Sequence, residues 1–346
     1  MSIATEPIGS IPRPQSLIDA MKAGASQEQL QEEFRKALKE TIELFEQTGS
    51  PVITDGEQTK PSFVTYPIQA AANIQPGGVT IPFADGHTRQ LPVLTSGPFR
   101  YQTYADQYLT AARKLTSRPV KQAVISASAL SLLYPQSGIE GYSREEFLRD
   151  LITESRQDIR RSLASGAYKV QVDFTEARLA LKLDPSKGLL KSFIDLNNQV
   201  LSGFNAEERK KIGVHTCPGG DEDSTHSADI DYADLLPELL QMDYGSFYIQ
   251  LASEKNPARV LQLIKQHLRK GQHIFIGVTD PIHPQIETAE QVRDRVLQAA
   301  EILPVDQLGS TDDCGFAPFG DDTSTPRETA FRKIRARVEG TRMAER

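Results

Sequence analysis

Eight short apolar runs, most of them followed by a stretch with helical spacing, constrain this chain more than any other feature. The runs fall at residues 3–8, 52–54, 120–125, 168–172, 212–214, 247–249, 274–278 and 307–309. Residues 26–46 carry Leu30, Phe34, Leu38, Ile42 and Phe45 on one helical face. Residues 144–165 repeat the pattern with Phe147, Leu151, Ile152, Ile159 and Leu163. Residues 257–268 and 288–302 do so again. Eight strand–helix units in 346 residues predict a (β/α)8 TIM barrel, an α/β fold. Residues 75–99 break the rhythm. Pro76-Gly77-Gly78, a run at 79–83, a turn at Asp85-Gly86 and a run at 90–94 predict an inserted β-hairpin. Past Pro326, the spacing of Phe331, Ile334 and Val338 predicts a closing C-terminal helix. With no repeat and no Pro/Gly-rich linker, residues 1–346 read as a single barrel domain.

The balance of 39 basic against 46 acidic residues gives a net charge of −7, which argues against nucleic acid or a membrane surface as partner. No run approaches the ~18 apolar residues that span a bilayer. The first residues lack a basic segment and an apolar core, so the expected location is the cytoplasm and the expected state of the two cysteines is reduced.

In such barrels the chemistry lies at the C-terminal ends of the strands. The unusual residues gather there: Gly9 and Ser10, then Asp55-Gly56-Glu57, Asp173, His215 with Cys217, Gln250, Asp280, and Asp312-Asp313-Cys314. Each also has an ordinary reading. A strand-end Asp often caps the next helix, Gly9 and Gly56 serve as turn glycines, and a lone Cys is commonly a small buried residue. The combination is harder to explain by packing. His215 and Cys217 share a Gly-rich loop, and the only other cysteine, Cys314, sits in an equivalent one. One His and two thiolates suit zinc and leave a fourth position open. Of the other histidines, His283 follows a strand end and is a candidate, whereas His87, His226, His267 and His273 read as surface or loop residues.

Ile8-Gly9-Ser10-Ile11-Pro12, Asp55-Gly56-Glu57, Val170-Gln171-Val172-Asp173, Val214-His215-Thr216-Cys217, Gly277-Val278-Thr279-Asp280 and Asp313-Cys314-Gly315 resemble, in this order, the catalytic domain of cobalamin-independent methionine synthases. The resemblance is to a single-barrel form, covers nearly the whole chain, and extends to epoxyalkane:coenzyme M transferases. It implies Zn2+ held by His215, Cys217 and Cys314, and a zinc-activated thiol as nucleophile. Glu57 and Asp173 are implied for the amino group of homocysteine, and Gly9-Ser10 for its carboxylate.

The sequence departs from the family pattern in three places. The position of a further ligand, glutamate in the synthases, reads Gln250, with Glu254 nearby. An Asp-x-His motif becomes Asp280 followed by His283, so the general acid is expected among His283, Asp280 and the Asp312-Asp313 pair. The tryptophan expected to stack on a folate is absent, and the matching stretch offers Leu133 or Tyr134. The methyl donor is therefore left open between a 5-methyltetrahydrofolate-type molecule and a corrinoid protein. The expected activity is S-methyl transfer to homocysteine. The alternatives are alkyl transfer to another small thiol such as coenzyme M, a non-catalytic zinc-binding protein, and a metal-free barrel related to porphyrinogen decarboxylases.

Overall fold

The helices form where capping and apolar spacing agree. In the computed structural model, which describes residues 2–345, Gln27–Gln47 starts at a capping box between Ser26 and Gln29. Arg144–Ala164 starts at one between Ser143 and Glu146, and Ala289–Ala300 at one between Thr288 and Gln291. Pro257–His267 opens with proline in its first turn behind an Asn256 cap. The closing helix runs Arg327–Ala344 behind Pro326.

Seven strands form one parallel sheet: β1 (Ala4–Thr5), β2 (Gln122–Ile125), β3 (Val170–Asp173), β4 (Ile212–Thr216), β5 (Ser246–Ile249), β6 (His273–Thr279) and β7 (Leu308–Asp312). Their spatial order is β1-β7-β6-β5-β4-β3-β2, so chain order runs round the barrel. The run at 52–54 takes the eighth place. It makes a single parallel bridge from Ile53 to Val120 beside β2, and the Thr54 hydroxyl donates to Gly9 O at 2.8 Å beyond β1. The first run is shorter than the expected 3–8 because Pro7 has no N–H to continue a ladder. The insertion is also more divided than expected. Thr80–Pro82 pairs with Thr88–Gln90, and Ile74–Gln75 pairs separately with Val93–Leu94. Pro92 supplies no donor where the two ladders would join.

One carboxylate shows that the sheet closes on itself. Glu6, just past β1, accepts from Lys169 at 2.7 Å and from the Tyr248 hydroxyl at 2.5 Å, and Lys121 lies at 3.6 Å. Tyr248 stacks on Phe275 at 4.8 Å. These side chains come from β5 and β6, from the residue just past β1 and from the residues just before β2 and β3, and they can meet only inside a barrel. Glu6 and Lys121 are almost fully buried, and the lysines beside Glu6 hold its carboxyl below the usual range against the cost of burial. Removing one member of such a group leaves the others uncompensated. Glu6→Ala is expected to lower stability by about 3–5 kcal/mol, read by urea unfolding at neutral pH. A variant as stable as the wild type would show that the interior does not depend on this ion group.

Candidate metal centre

β4 ends at Thr216, and Cys217 follows at the rim. β7 ends at Asp312, and Cys314 follows at the same rim. Two strands separate β4 from β7 in the sheet, so the two loops must reach over the barrel mouth to meet. They do. The sulfurs of Cys217 and Cys314 lie 2.9 Å apart as free thiols. One ligand atom from each of His215, Cys217 and Cys314 falls within 4.8 Å of the others.

Local sequence makes this approach possible. Gly219 has φ +70°, and a Cβ there would overlap the His226 ring. Its N–H points at Cys217 Sγ from 3.4 Å. Gly315 is pressed against Ser10, whose hydroxyl oxygen would collide with any Cβ. Ser10 also braces the second loop, accepting from Phe316 N at 3.0 Å and from Ala317 N at 3.2 Å.

His215 is buried, and neither of its ring nitrogens has a hydrogen-bond partner among the described residues. A buried imidazole with both nitrogens unpaired is uncommon and costly. Two adjacent thiols and that imidazole form a donor set suited to a soft divalent ion. Cys217 is fully buried, whereas Cys314 is 9 % exposed and borders a cavity of about 430 Å3. The thiol pair shares its protons unequally. Burial and the neighbouring sulfur push Cys217 up. The contact with Cys217, together with His215 and the Gly220 N–H, holds Cys314 well below the usual thiol range.

The same cavity is bordered by Gly9, Ser10, Glu57, Asp173 and His215. Asp173 is the register partner of His215 on the adjacent strand. It accepts from Gln171 at 2.8 Å, and burial pushes its carboxyl up to about 7, with His215 opposing. Glu57 has φ +55°, a left-handed conformation that a non-glycine residue adopts only under constraint. That constraint is the buried Arg13, which donates to Glu57 O at 2.7 Å and Lys60 O at 2.9 Å. One carboxylate oxygen of Glu57 pairs with Lys60 at 2.9 Å.

The remaining candidates lie elsewhere. Gln250 Oε1 accepts from Arg178 at 3.0 Å and its amide nitrogen donates to Ser253 at 2.5 Å. Glu254 accepts from the same Arg178 nitrogen at 2.9 Å. Both border a second cavity of about 500 Å3, which meets the first at Gly220 and Cys314. Asp280 borders that second cavity and accepts from Ile282 N at 3.0 Å. His283 is exposed and borders neither cavity. Asp312 is taken up by Thr279 at 2.8 Å and Arg337 at 3.1 Å. Asp313 accepts three backbone N–H groups from Leu251 to Ser253, each at 2.8 Å, and the Ser253 hydroxyl. Tyr134 packs on Phe147 and donates to Tyr142 O, and neither it nor Leu133 borders either of these two cavities. Ala129 and Leu132 border the first.

Three cavity residues escaped the sequence reading. His226, expected at the surface, is buried against Gly219 and borders the first cavity. Its loop is polar, with nothing in the sequence to announce burial. The imidazole is held neutral, with a pKa lowered to about 4, by burial and by Lys182 and Arg178. Glu176 sits three residues after Asp173, a spacing that could have flagged it. Its Oε1 accepts from Ser126 at 2.6 Å and from Ser128, while Oε2 has no partner among the described residues. Arg89 reaches the site from the inserted hairpin.

A sequence profile described as the catalytic domain of cobalamin-independent synthase matches residues 3–339. Among curated proteins, the methionine synthase of Saccharolobus solfataricus is 24% identical, with 99% of this chain and 94% of that protein aligned. The methionine synthase of Sulfurisphaera tokodaii is 25% identical, over 99% and 92%. Among solved structures, a B12-independent methionine synthase from Shewanella sp. W3-18-1, in complex with selenomethionine, superposes with a TM-score of 0.79 at 20% identity, covering 99% of this chain and 98% of that one.

Glu176 gives a pH test of the cavity. Burial pushes its carboxyl from the ordinary 4.5 up to about 7. The folded state therefore binds more protons than the unfolded state between those values, and stability falls as pH rises through that window. Chelator-treated protein is expected to lose stability from about pH 5 to about pH 7.5. Glu176→Gln should remove roughly 2–4 kcal/mol of that loss. Parallel urea-unfolding curves for wild type and variant across the window would contradict it.

Proposed function

Since this chain belongs to the cobalamin-independent methionine synthase family, by its match to the catalytic domain, we propose that it transfers a methyl group to a small thiol, homocysteine by preference, at the His215–Cys217–Cys314 centre. One observation carries this reading. The three side chains converge within 4.8 Å, and Cys314 opens into a cavity that Ser10, Glu57 and Asp173 also border. Zinc, when bound by these three residues, supplies the positive charge that keeps a substrate thiol deprotonated at neutral pH.

The chain's own residues do the rest. Asp173 and Glu57 offer carboxylate oxygens to the substrate ammonium. The Ser10 hydroxyl and the turn at Gly9 receive its carboxylate. The apolar wall of Phe63, Ile81, Phe83 and Leu91 excludes water from the transfer. A folate-type donor must take up a proton at its departing nitrogen, whereas a corrinoid donor leaves as Co(I) and needs none. Asp280 or His283 would supply that proton, and Asp280 is the nearer by its cavity. A 5-methyltetrahydrofolate-type donor and a corrinoid carrier both remain in the proposal, because Ala129 and Leu132 stand where an aromatic face would select the first.

An acceptor of the coenzyme M type would need a cationic clamp for its sulfonate. Arg89 is the one arginine bordering the first cavity among the described residues, no lysine borders it, and Arg89 is already committed to two aspartates. That favours an amino-acid thiol. A purely structural zinc site would need a fourth protein ligand, and Arg178 holds both Gln250 and Glu254.

The deciding experiment loads the protein with zinc and screens thiol acceptors against methylfolate and methylcobalamin, reading S-methyl products. Cys217→Ser and Cys314→Ser should lose zinc and turnover together while still folding. A Cys314→Ser protein with stoichiometric zinc and full turnover would sink the proposal. Asp173→Asn should raise KM for homocysteine roughly ten- to hundredfold at unchanged zinc content, the cost of one charge-assisted contact.

A further inference from the structure

The inserted hairpin does not hang free of the barrel. Its second strand carries Arg89, which touches both sulfur-bearing loops. Nη2 donates to Asp221 Oδ1 at 3.0 Å, and Nε donates to the other oxygen of the same carboxylate. Nη1 donates to Asp321 Oδ2 at 2.9 Å, and a longer contact of 3.5 Å runs from Nη2 to Glu222. The guanidinium lies 4.4 Å over the Phe319 ring. Asp221 and Glu222 belong to the loop of Cys217, and Asp321 and Phe319 to the loop of Cys314. His87 adds a 3.2 Å contact to Asp221. Ala84 N donates to Thr225 O at 2.9 Å, fastening the hairpin tip to the first loop.

The two loops have few other ties. Glu222 N reaches Asp322 at 3.4 Å, and the Thr325 hydroxyl reaches Asp223 at 3.1 Å. Cys314 also meets the first loop at Cys217 Sγ, 2.9 Å away, and at the Gly220 N–H. Arg89 bridges them from outside, with hydrogen bonds to Asp221 of one loop and Asp321 of the other. Arginine suits the task because its fork serves two carboxylates at once and stacks on an aromatic face, which a lysine cannot do.

We propose that Arg89 is a positioning residue of the metal centre, holding the two cysteine-bearing loops at ligand distance, and that the hairpin must lift before metal or substrate can exchange. The inference rests on the metal-centre reading above and adds to it a residue outside the donor set. Ile81, Phe83 and Leu91 of the same hairpin border the cavity, so lifting it opens the path.

The test measures zinc transfer from the loaded protein to a colorimetric chelator, alongside the thermal unfolding midpoint of each metal-free protein. Arg89→Ala is expected to release zinc at least about tenfold faster than wild type. Arg89→Lys should show most of that acceleration, because one ammonium holds one arm. Asp321→Asn cuts only the arm to the Cys314 loop, at a side chain 63% exposed. It should release zinc faster with an unchanged midpoint, and it carries the test if Arg89→Ala does not fold. Wild-type release rates in Arg89→Lys and Asp321→Asn would overturn the clamp. A wild-type chain that takes up no zinc would instead overturn the metal centre, and the clamp with it.

Discussion

Two sulfur atoms 2.9 Å apart in a buried site set the terms for the rest of this molecule. At an effective dielectric near 20, two thiolates at that separation repel by roughly 6 kcal/mol. The N–H groups of Gly219 and Gly220 each offset only a fraction of that. Without a cation one sulfur must keep its proton, which is why Cys314 is pulled down while Cys217 is driven up. A divalent ion bound there would remove the conflict and take up one nitrogen of the His215 imidazole.

The barrel supplies the geometry. Parallel strands in chain order bring all their C-terminal ends to one rim, so residues nearly a hundred positions apart become neighbours. The apolar runs made this legible, because a strand buried on both faces reads as a short unbroken run. The register placed Asp173 beside His215. The two-residue β1 and the lone bridge at Ile53 were less legible, since Pro7 and the turn at Asp55-Gly56 cut the ladders short.

What the sequence concealed lies in the loops. His226 sits in a polar segment whose burial depends on the hairpin tip folding over it, with Phe83 edge-on to its ring at 5.6 Å. That is tertiary information with no periodic signature. Arg89 gave no signal for the same reason, because its partners Asp221 and Asp321 are far away in sequence. The candidate acids illustrate the converse. Asp312 and Asp313 look like site residues at a strand end, yet Asp312 is spent on Thr279 and Arg337. Asp313 pins the backbone of residues 251–253. A strand-end aspartate in a sequence does not say whether its oxygens are already committed.

That distinction sorts the carboxylates of the rim. Asp221 and Asp313 have both oxygens filled by arginine, hydroxyl or backbone donors, whereas Asp312 meets Thr279 and Arg337 through one oxygen alone. Glu57, Asp173 and Glu176 each keep an oxygen without a partner among the described residues, and all three border the first cavity. Buried carboxylates with spare acceptor capacity are costly unless a donor arrives. Three of them beside the candidate metal centre, with the cavity's one arginine already engaged, favour a ligand that brings N–H donors and positive charge. An amino-acid thiol does so and a sulfonate thiol does not. On the proposed reading, the acceptor would be chosen by which oxygens the fold leaves free, and only secondarily by the metal ligands.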